Sequence, residues 1–249
     1  RISFAEDEVN LQELASLIEA DMALAAAVLK AVNSSLYGLR GRVQTVQQAI
    51  TYLGMREVAA VTYEMGLRAV FRHAPELEPI WKRAGLRGLV MGRLGQLLNI
   101  DPWGAHSAGL FEECGKAVLF RHAPDHYRSM LRAAASDAEL VTLEHAGFGV
   151  SHDALGAALC ENWGLDAAAV ASVRHHVQVQ ATLQLPPQLA RPRICVLSAI
   201  AAALISRPDQ AEDAARALAA PAQLDETLVL RGARKVLEQL EAARSREGR

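Results

Sequence analysis

The sequence predicts an all-helical fold, and three observations carry that prediction. Alanine and leucine supply 46 and 34 of the 249 residues, and both lead the helix scale because neither loses much side-chain freedom in a helix. Aromatic residues are only 5%, so strand-favouring side chains are scarce. No segment alternates apolar and polar residues between turn signals, whereas apolar residues recur three and four apart along most of the chain.

Taken in order, Leu11, Leu14 and Ile18 mark a first helix, and Asp21 starts a second through Val32 that Asn33, Ser34 and Ser35 break. Thr45 with Gln48 forms a capping box for Val46–Leu53, which Gly54 ends. Met55–Phe71 is a further helix. Pro75 and Pro79 flank the start of a long helix that reaches Leu98 and carries Gly85, Gly88, Gly92 and Gly95 on one face; glycines so spaced invite close approach of a neighbour. Asp101 and Pro102 supply an N-cap and first-turn proline for a helix through Phe120, and Pro124 opens the next. Ser151 caps His152–Trp163, Gly164 terminates it, and Asp166–Val177 follows. Gln178–Pro192 reads as the longest loop. Ile194–Ile205, Pro208–Ala219 and Leu224–Ala243 complete the set, with Leu228, Leu237 and Leu240 either finishing the core or meeting another subunit.

The length allows one sizeable core or two. A formal net charge of -2 gives no global field toward nucleic acid or an anionic membrane. Cys114, Cys160 and Cys195 are odd in number and contain no CxxC pair, which fits reduced thiols and argues against a secreted disulfide framework. No apolar run reaches the length of a membrane span, and Arg1–Asn10 lacks the pattern of a signal peptide. The expectation is a soluble cytoplasmic protein.

Five strings in order resemble the HDOD domain, a degenerate relative of the HD metal-dependent phosphohydrolases found in bacterial signalling proteins. They are DMALAAAVLKAVNSSLY over Asp21–Tyr37, VQQAITYLG over Val46–Gly54, Trp81, GLFEECGKAVL over Gly109–Leu119, and HDALGAALCENWGL leading to RHH, from His152 to His176. The match runs from Val9 to Leu204. The resemblance implies a single HDOD-like domain of two lobes, an N-terminal helical bundle over 1–75 and an HD-like bundle over 76–205, with the helices of 206–249 packed on it.

HD enzymes hold metal through a His, a His-Asp pair and a later Asp, with further His residues in two-metal members. Here Arg83 stands where the first His is often found, and Glu112 and Glu113 stand where the pair would be. Arginine has no acceptor and stays protonated, so Arg83 places a fixed positive charge where a cation would sit. Glutamate can ligate but lacks the His-Asp arrangement that activates bound water. No metal and no cofactor are expected.

On a helix continuous through Phe120, Glu112 shares a face with Ala105, Ala108, Gly115 and Leu119 and points inward. Arg83 and Arg87 interrupt an apolar stripe on the preceding helix. One reading pairs Arg83 with Glu112 as the cross-link that replaced the metal; the other leaves Arg83 reaching solvent and Glu112 meeting water. His152 heads the stripe Leu155, Gly156, Leu159 and Trp163, and His176 shares a face with Ala169 and Val173, so both point toward the old site. His175 lies about 100° away, at its rim. The degenerate pocket is thus Arg83, Arg87, Glu112, Glu113, His152, His175 and His176. Its histidines read either as relics hydrogen-bonded in a polar pocket or as ligands of metal or phosphate. His73, His106, His122, His126 and His145 show no metal-like spacing and are expected in solvent.

The leading functional expectation is a regulatory interaction module without catalysis. The resemblance implies partners among receiver or cyclic-di-nucleotide turnover proteins, reached by a partner helix in a groove or through a small ligand in the pocket. The alternative is a residual phosphohydrolase on a nucleotide or phosphate ester, with Glu112, Glu113, His152, His175 and His176 holding one metal while Arg83 and Arg87 clamp phosphate. A third reading, nucleic-acid binding, rests on ten Lys or Arg against four Asp or Glu between Lys30 and Arg93. These fall on different helix faces, as a solvated surface does, and the expectation is no nucleic acid.

Overall fold

A computed structural model describes residues 12–20, 25, 28–29, 32–33, 43–54, 58, 62 and 74–247. The chain divides into two compact units, residues 1–72 with 239–249, and residues 73–238. Among the described residues every regular element is helical, as the composition predicts.

In the first unit, residues 12–19 form a helix and Val46–Leu53 forms α1. Thr45 Oγ1 accepts from Gln48 N, and Gln48 Oε1 reaches back to Gln44 N, so the capping box forms with its return bond one residue early. Gly54 follows at φ 89°, a conformation that side chains with a Cβ rarely adopt. Ala15, Ile18, Val28, Val32, Val43, Val46, Ala49, Ile50 and Val58 form this unit's core. Asn33 does more than break a helix. Its Nδ2 donates to the Leu29 and Val43 carbonyls at 2.9 and 2.8 Å, and its Oδ1 accepts from Val43 N at 2.7 Å. It therefore clamps residue 33 to residue 43. Most of the helices predicted over Asp21–Val32 and Met55–Phe71 lies outside the described residues.

The second unit begins with α2 (Glu78–Leu98) and α3 (Pro102–Phe111). Asn99 ends α2 in a left-handed conformation, and Asp101 accepts from Trp103 N to start α3. A Cβ added at Gly95 would sit 2.9 Å from Pro102 Cα, and one at Gly88 would sit 3.2 Å from the His106 carbonyl. The predicted close packing is real at these positions, and Gly109 completes it from α3 by lying against Met91 and the Arg87 carbonyl.

The helix expected to run unbroken to Phe120 is interrupted. It becomes α3 and α4 (Cys114–His122), with Glu112 and Glu113 at the joint. Then come α5 (Pro124–Ala133), α6 (Asp137–Phe148), α7 (His152–Asn162) and α8 (Ala167–Thr182). A Cβ on Gly115 would collide with the His152 carbonyl and lie 3.0 Å from Gly156 N. This glycine lets α4 and α7 touch backbone to backbone and sets His152 beside the joint.

The expected loop from Gln178 is shorter than predicted, because α8 continues to Thr182 and buries Val179. The remaining helices are α9 (Arg193–Ser206), α10 (Ala211–Ala219) and α11 (Glu226–Glu247), the last of which belongs to the first unit from residue 239 onward. Residues Pro208–Gln210, predicted as the start of an α-helix, form a 3-10 turn instead. Almost all of α9 is buried, with Ser198 its one polar residue in the apolar centre. Leu240 is buried, Leu237 half-buried and Leu228 exposed. All three cysteines are buried and unpaired. No helix among the described residues is long and apolar enough to cross a membrane.

Candidate functional site: a buried ionic lattice at a helix joint

At the break between α3 and α4 two adjacent carboxylates are both buried. Glu112 and Glu113 are 1% and 3% exposed. They point to different partners. Glu112 faces α8 and α9, where Gln180 Nε2 donates to its Oε1 at 2.8 Å and Ser198 Oγ donates to its Oε2 at 2.7 Å. Gln180 also donates to Ser198 Oγ at 3.0 Å, which closes a three-membered polar ring.

Glu113 faces α2 and the start of α6. Arg87 Nη2 donates to its Oε2 at 2.7 Å, Lys116 Nζ to its Oε1 at 2.5 Å, and Arg83 spans both oxygens at 3.2 and 3.3 Å. Arg87 Nε also lies 3.1 Å from Glu112 Oε1, within ion-pair range but not aligned as a hydrogen bond. Lys116 donates in turn to Asp137 Oδ1 at 2.7 Å.

These contacts correct the expected Arg83–Glu112 pair. The joint turns Glu113, not Glu112, toward Arg83, while Arg87, one turn further along α2, is the buried cation that touches both carboxylates. The Arg83 side chain is 44% exposed, so the solvent-reaching alternative holds in part. Glu112, expected to meet water in that alternative, is enclosed instead.

Charge explains the stability of this arrangement. Arg83, Arg87 and Lys116 face Glu112, Glu113 and Asp137, three cations against three carboxylates. Burial alone would raise the Glu113 pKa, but Arg87, Lys116 and Arg83 outweigh it and hold the carboxyl well below its usual value. Burial would likewise lower Lys116, and Glu113 with Asp137 raise it instead. Glu113 and Lys116 therefore keep their charges because their neighbours supply the compensation that water does elsewhere.

Beside the lattice lie His152 and His176, both buried, with ring centroids 5.4 Å apart. Glu144, on α6, accepts from His152 N at 2.7 Å and contacts His152 Nδ1 at 2.8 Å. Tyr127 donates to the same carboxylate at 2.5 Å. His176 Nδ1 lies 2.7 Å from the Val173 carbonyl. Burial lowers the His176 pKa, leaving a neutral ring. His175 is half-buried, and the charges acting on it are those of Arg174 and Asp153; the structure does not bring it to the lattice. Of the histidines expected in solvent, His122, His126 and His145 are exposed, but His106 is buried in the contact of α3 with α2, and His73 lies outside the described residues.

Sequence reasoning missed Lys116, Asp137, Glu144, Tyr127, Gln180 and Ser198. Lys116 sits three residues after Glu113, a spacing that brings side chains together on a helix, and that signal was available. Gln180 and Ser198 lie 68 and 86 residues from Glu112, so nothing local announces them.

An open cleft of about 410 Å³ adjoins the lattice, lined by Arg83, Lys116, Arg128 and Arg132 with Glu76 and Asp137 among them. Arg128 is tied to Glu76 at 2.5 Å.

Residues 2–179 match the HDOD domain. A protein of Treponema pallidum, whose activity is uncharacterised, is 26% identical over 176 residues, covering 68% of this chain and 34% of that one. The chain thus spans about a third of that relative's length. Among solved structures, a proposed signal transduction protein of Marinobacter aquaeolei superposes with a TM-score of 0.70 at 23% identity, over 95% of this chain and 54% of that one. A proposed phosphohydrolase of Shewanella amazonensis gives 0.68 at 18% identity, over 94% and 86%. At such identities the likeness is one of fold.

Proposed function

The chain belongs to the HDOD family, and on that premise we propose that it is a non-catalytic regulatory module of bacterial signal transduction, acting by binding a signalling partner. One observation carries the reading: the two carboxylates that stand in place of a His-Asp pair are saturated by the protein's own donors. Every oxygen of Glu112 and Glu113 accepts from arginine, lysine, serine or glutamine. A divalent ion there would have to displace a guanidinium and an ammonium, and the lattice offers no surplus negative charge to repay that cost. The residues do not fit the metal centre of an HD hydrolase.

The fold shared with a proposed signal transduction protein supports the signalling context. Partners of the receiver or cyclic-di-nucleotide turnover class are those the family resemblance favours. The test is hydrolysis of a panel of phosphomonoesters, phosphodiesters and cyclic dinucleotides with added Mn²⁺ or Fe²⁺. The reading predicts no turnover above the metal alone. Metal-dependent turnover that disappears in Glu113→Gln overturns it and favours the phosphohydrolase alternative.

A further inference from the structure

We propose that Asp137, His152 and His176 bind one divalent transition-metal ion at a site offset from the Glu112–Glu113 pair. Their ligand atoms all lie within 4.8 Å of one another. His152 Nδ1 is held by the Glu144 carboxylate and His176 Nδ1 by the Val173 carbonyl. Because both partners are acceptors, Nδ1 carries the proton in each ring and Nε2 presents its lone pair. Both Nε2 atoms are buried and without a hydrogen-bond partner. Two orphaned acceptors side by side are costly in a folded interior, and a shared ion satisfies both at once.

The surroundings are those that orient ligands. A carboxylate behind one imidazole and a backbone carbonyl behind the other fix tautomer and ring plane. Glu144 is itself anchored by Tyr127 and by His152 N, and Lys116 holds Asp137 through Oδ1. The acidic side chains at the site are Asp137 and Glu144, and the cation that holds Asp137, Lys116, is shared with Glu113.

Two imidazole nitrogens and one carboxylate suit Zn²⁺, Co²⁺ or Fe²⁺ rather than Mg²⁺ or Ca²⁺. Metal–ligand distances of about 2.0–2.2 Å put tetrahedral ligands about 3.4 Å apart, so the three groups close by about 1.4 Å at most. Asp137 is the most exposed of the three. Its side chain is 42% exposed and lines the open cleft, which gives the ion a route in. The set uses neither Glu112, Glu113 nor His175, so it is not the metal arrangement weighed for a residual hydrolase. It extends the interaction reading without depending on it.

The test uses the full chain, stripped with chelator, dialysed and titrated with Co²⁺ while visible absorption is followed, with Zn²⁺ as competitor. The expected result is one equivalent bound with ligand-field bands that Zn²⁺ abolishes. Affinity falls at least ~10-fold in His176→Gln, Asp137→Asn and Glu144→Gln, the last by loss of orientation alone, and is unchanged in His175→Gln. Circular dichroism confirms that each variant is folded. Absence of a stoichiometric band in the folded wild-type chain overturns the site, as does binding that survives His176→Gln or is lost in His175→Gln. Phosphodiester turnover by the Co²⁺-loaded chain would overturn the non-catalytic reading and leave the site standing, so the two fail separately.

Discussion

Replacing Arg87 with methionine keeps the apolar stem of the side chain and removes the buried guanidinium. Breaking a buried ion pair by deleting one partner costs about 3–5 kcal/mol, because the other charge stays behind without compensation. Here the remaining charges are only partly abandoned. Glu113 keeps Lys116 and Arg83, and Glu112 keeps Gln180 and Ser198. The cost belongs at the lower end, about 3 kcal/mol, which is a large share of a total stability of about 5–15 kcal/mol. Arg83→Met tests the same logic from the surface. Its side chain is 44% exposed, so solvent already screens the pair and the loss should stay within about 1 kcal/mol. Adding Glu113→Gln to Arg87→Met should recover part of the loss, with a coupling of about 1–3 kcal/mol. Urea denaturation at neutral pH, with the slope unchanged between variants and Glu113→Gln alone measured to close the cycle, gives all three values. The reasoning is refuted if Arg87→Met costs less than about 1 kcal/mol, or if Arg83→Met costs as much as Arg87→Met.

Three further outcomes follow from particular contacts. Gly115→Ala should cost more than about 3 kcal/mol or prevent folding, since its methyl meets the His152 carbonyl and backbone cannot yield as a side chain does; a thermal midpoint within a few degrees of wild type would contradict the close contact of α4 with α7. Asn33→Ala removes three hydrogen bonds and leaves the half-buried Asn33–Val43 clamp open, a loss of about 2–3 kcal/mol that a denaturation curve would register. Stability should also fall with acid. The folded pKa of Glu113 lies below its unfolded value, so its contribution is complete above about pH 4.3 and is lost as pH drops from there through the folded pKa. Denaturation curves collected down that range should show the decline, and a stability that rises on acidification would contradict it.

Much of the fold was legible because helix boundaries are written in local chemistry. Thr45, Asp101 and Gly54 cap or end helices where their side chains or φ values require. The glycines of α2 announced a close neighbour, and the structure puts α3 against Gly88 and Gly95. Helix α6 was not foreseen because the face it buries contains Leu140 and the carboxylate of Glu144, which weakens the apolar period that reveals a helix. The joint at Glu112–Glu113 was hidden for a related reason. Neither residue breaks a helix by propensity, and their inward partners are the arginines of α2, the Gln180 amide of α8 and the Ser198 hydroxyl of α9. At the site, the residue types of Glu112, Glu113, His152 and His176 were readable in the sequence. Their pairing was not, since it depends on which turn of α2 meets which side of the joint.

The central claim is that protein cations, with no metal at the pair, keep Glu113 ionised in the interior. The most direct test is a carbon NMR titration of the Glu113 carboxyl in the full chain, with chelator present throughout. The account predicts a resonance that stays in its ionised position through the ordinary carboxylate range near pH 4.3, and that titrates upward when Arg87 is replaced by methionine. An inflection at or above that range in the wild-type chain, abolished when a divalent metal replaces the chelator, would contradict it.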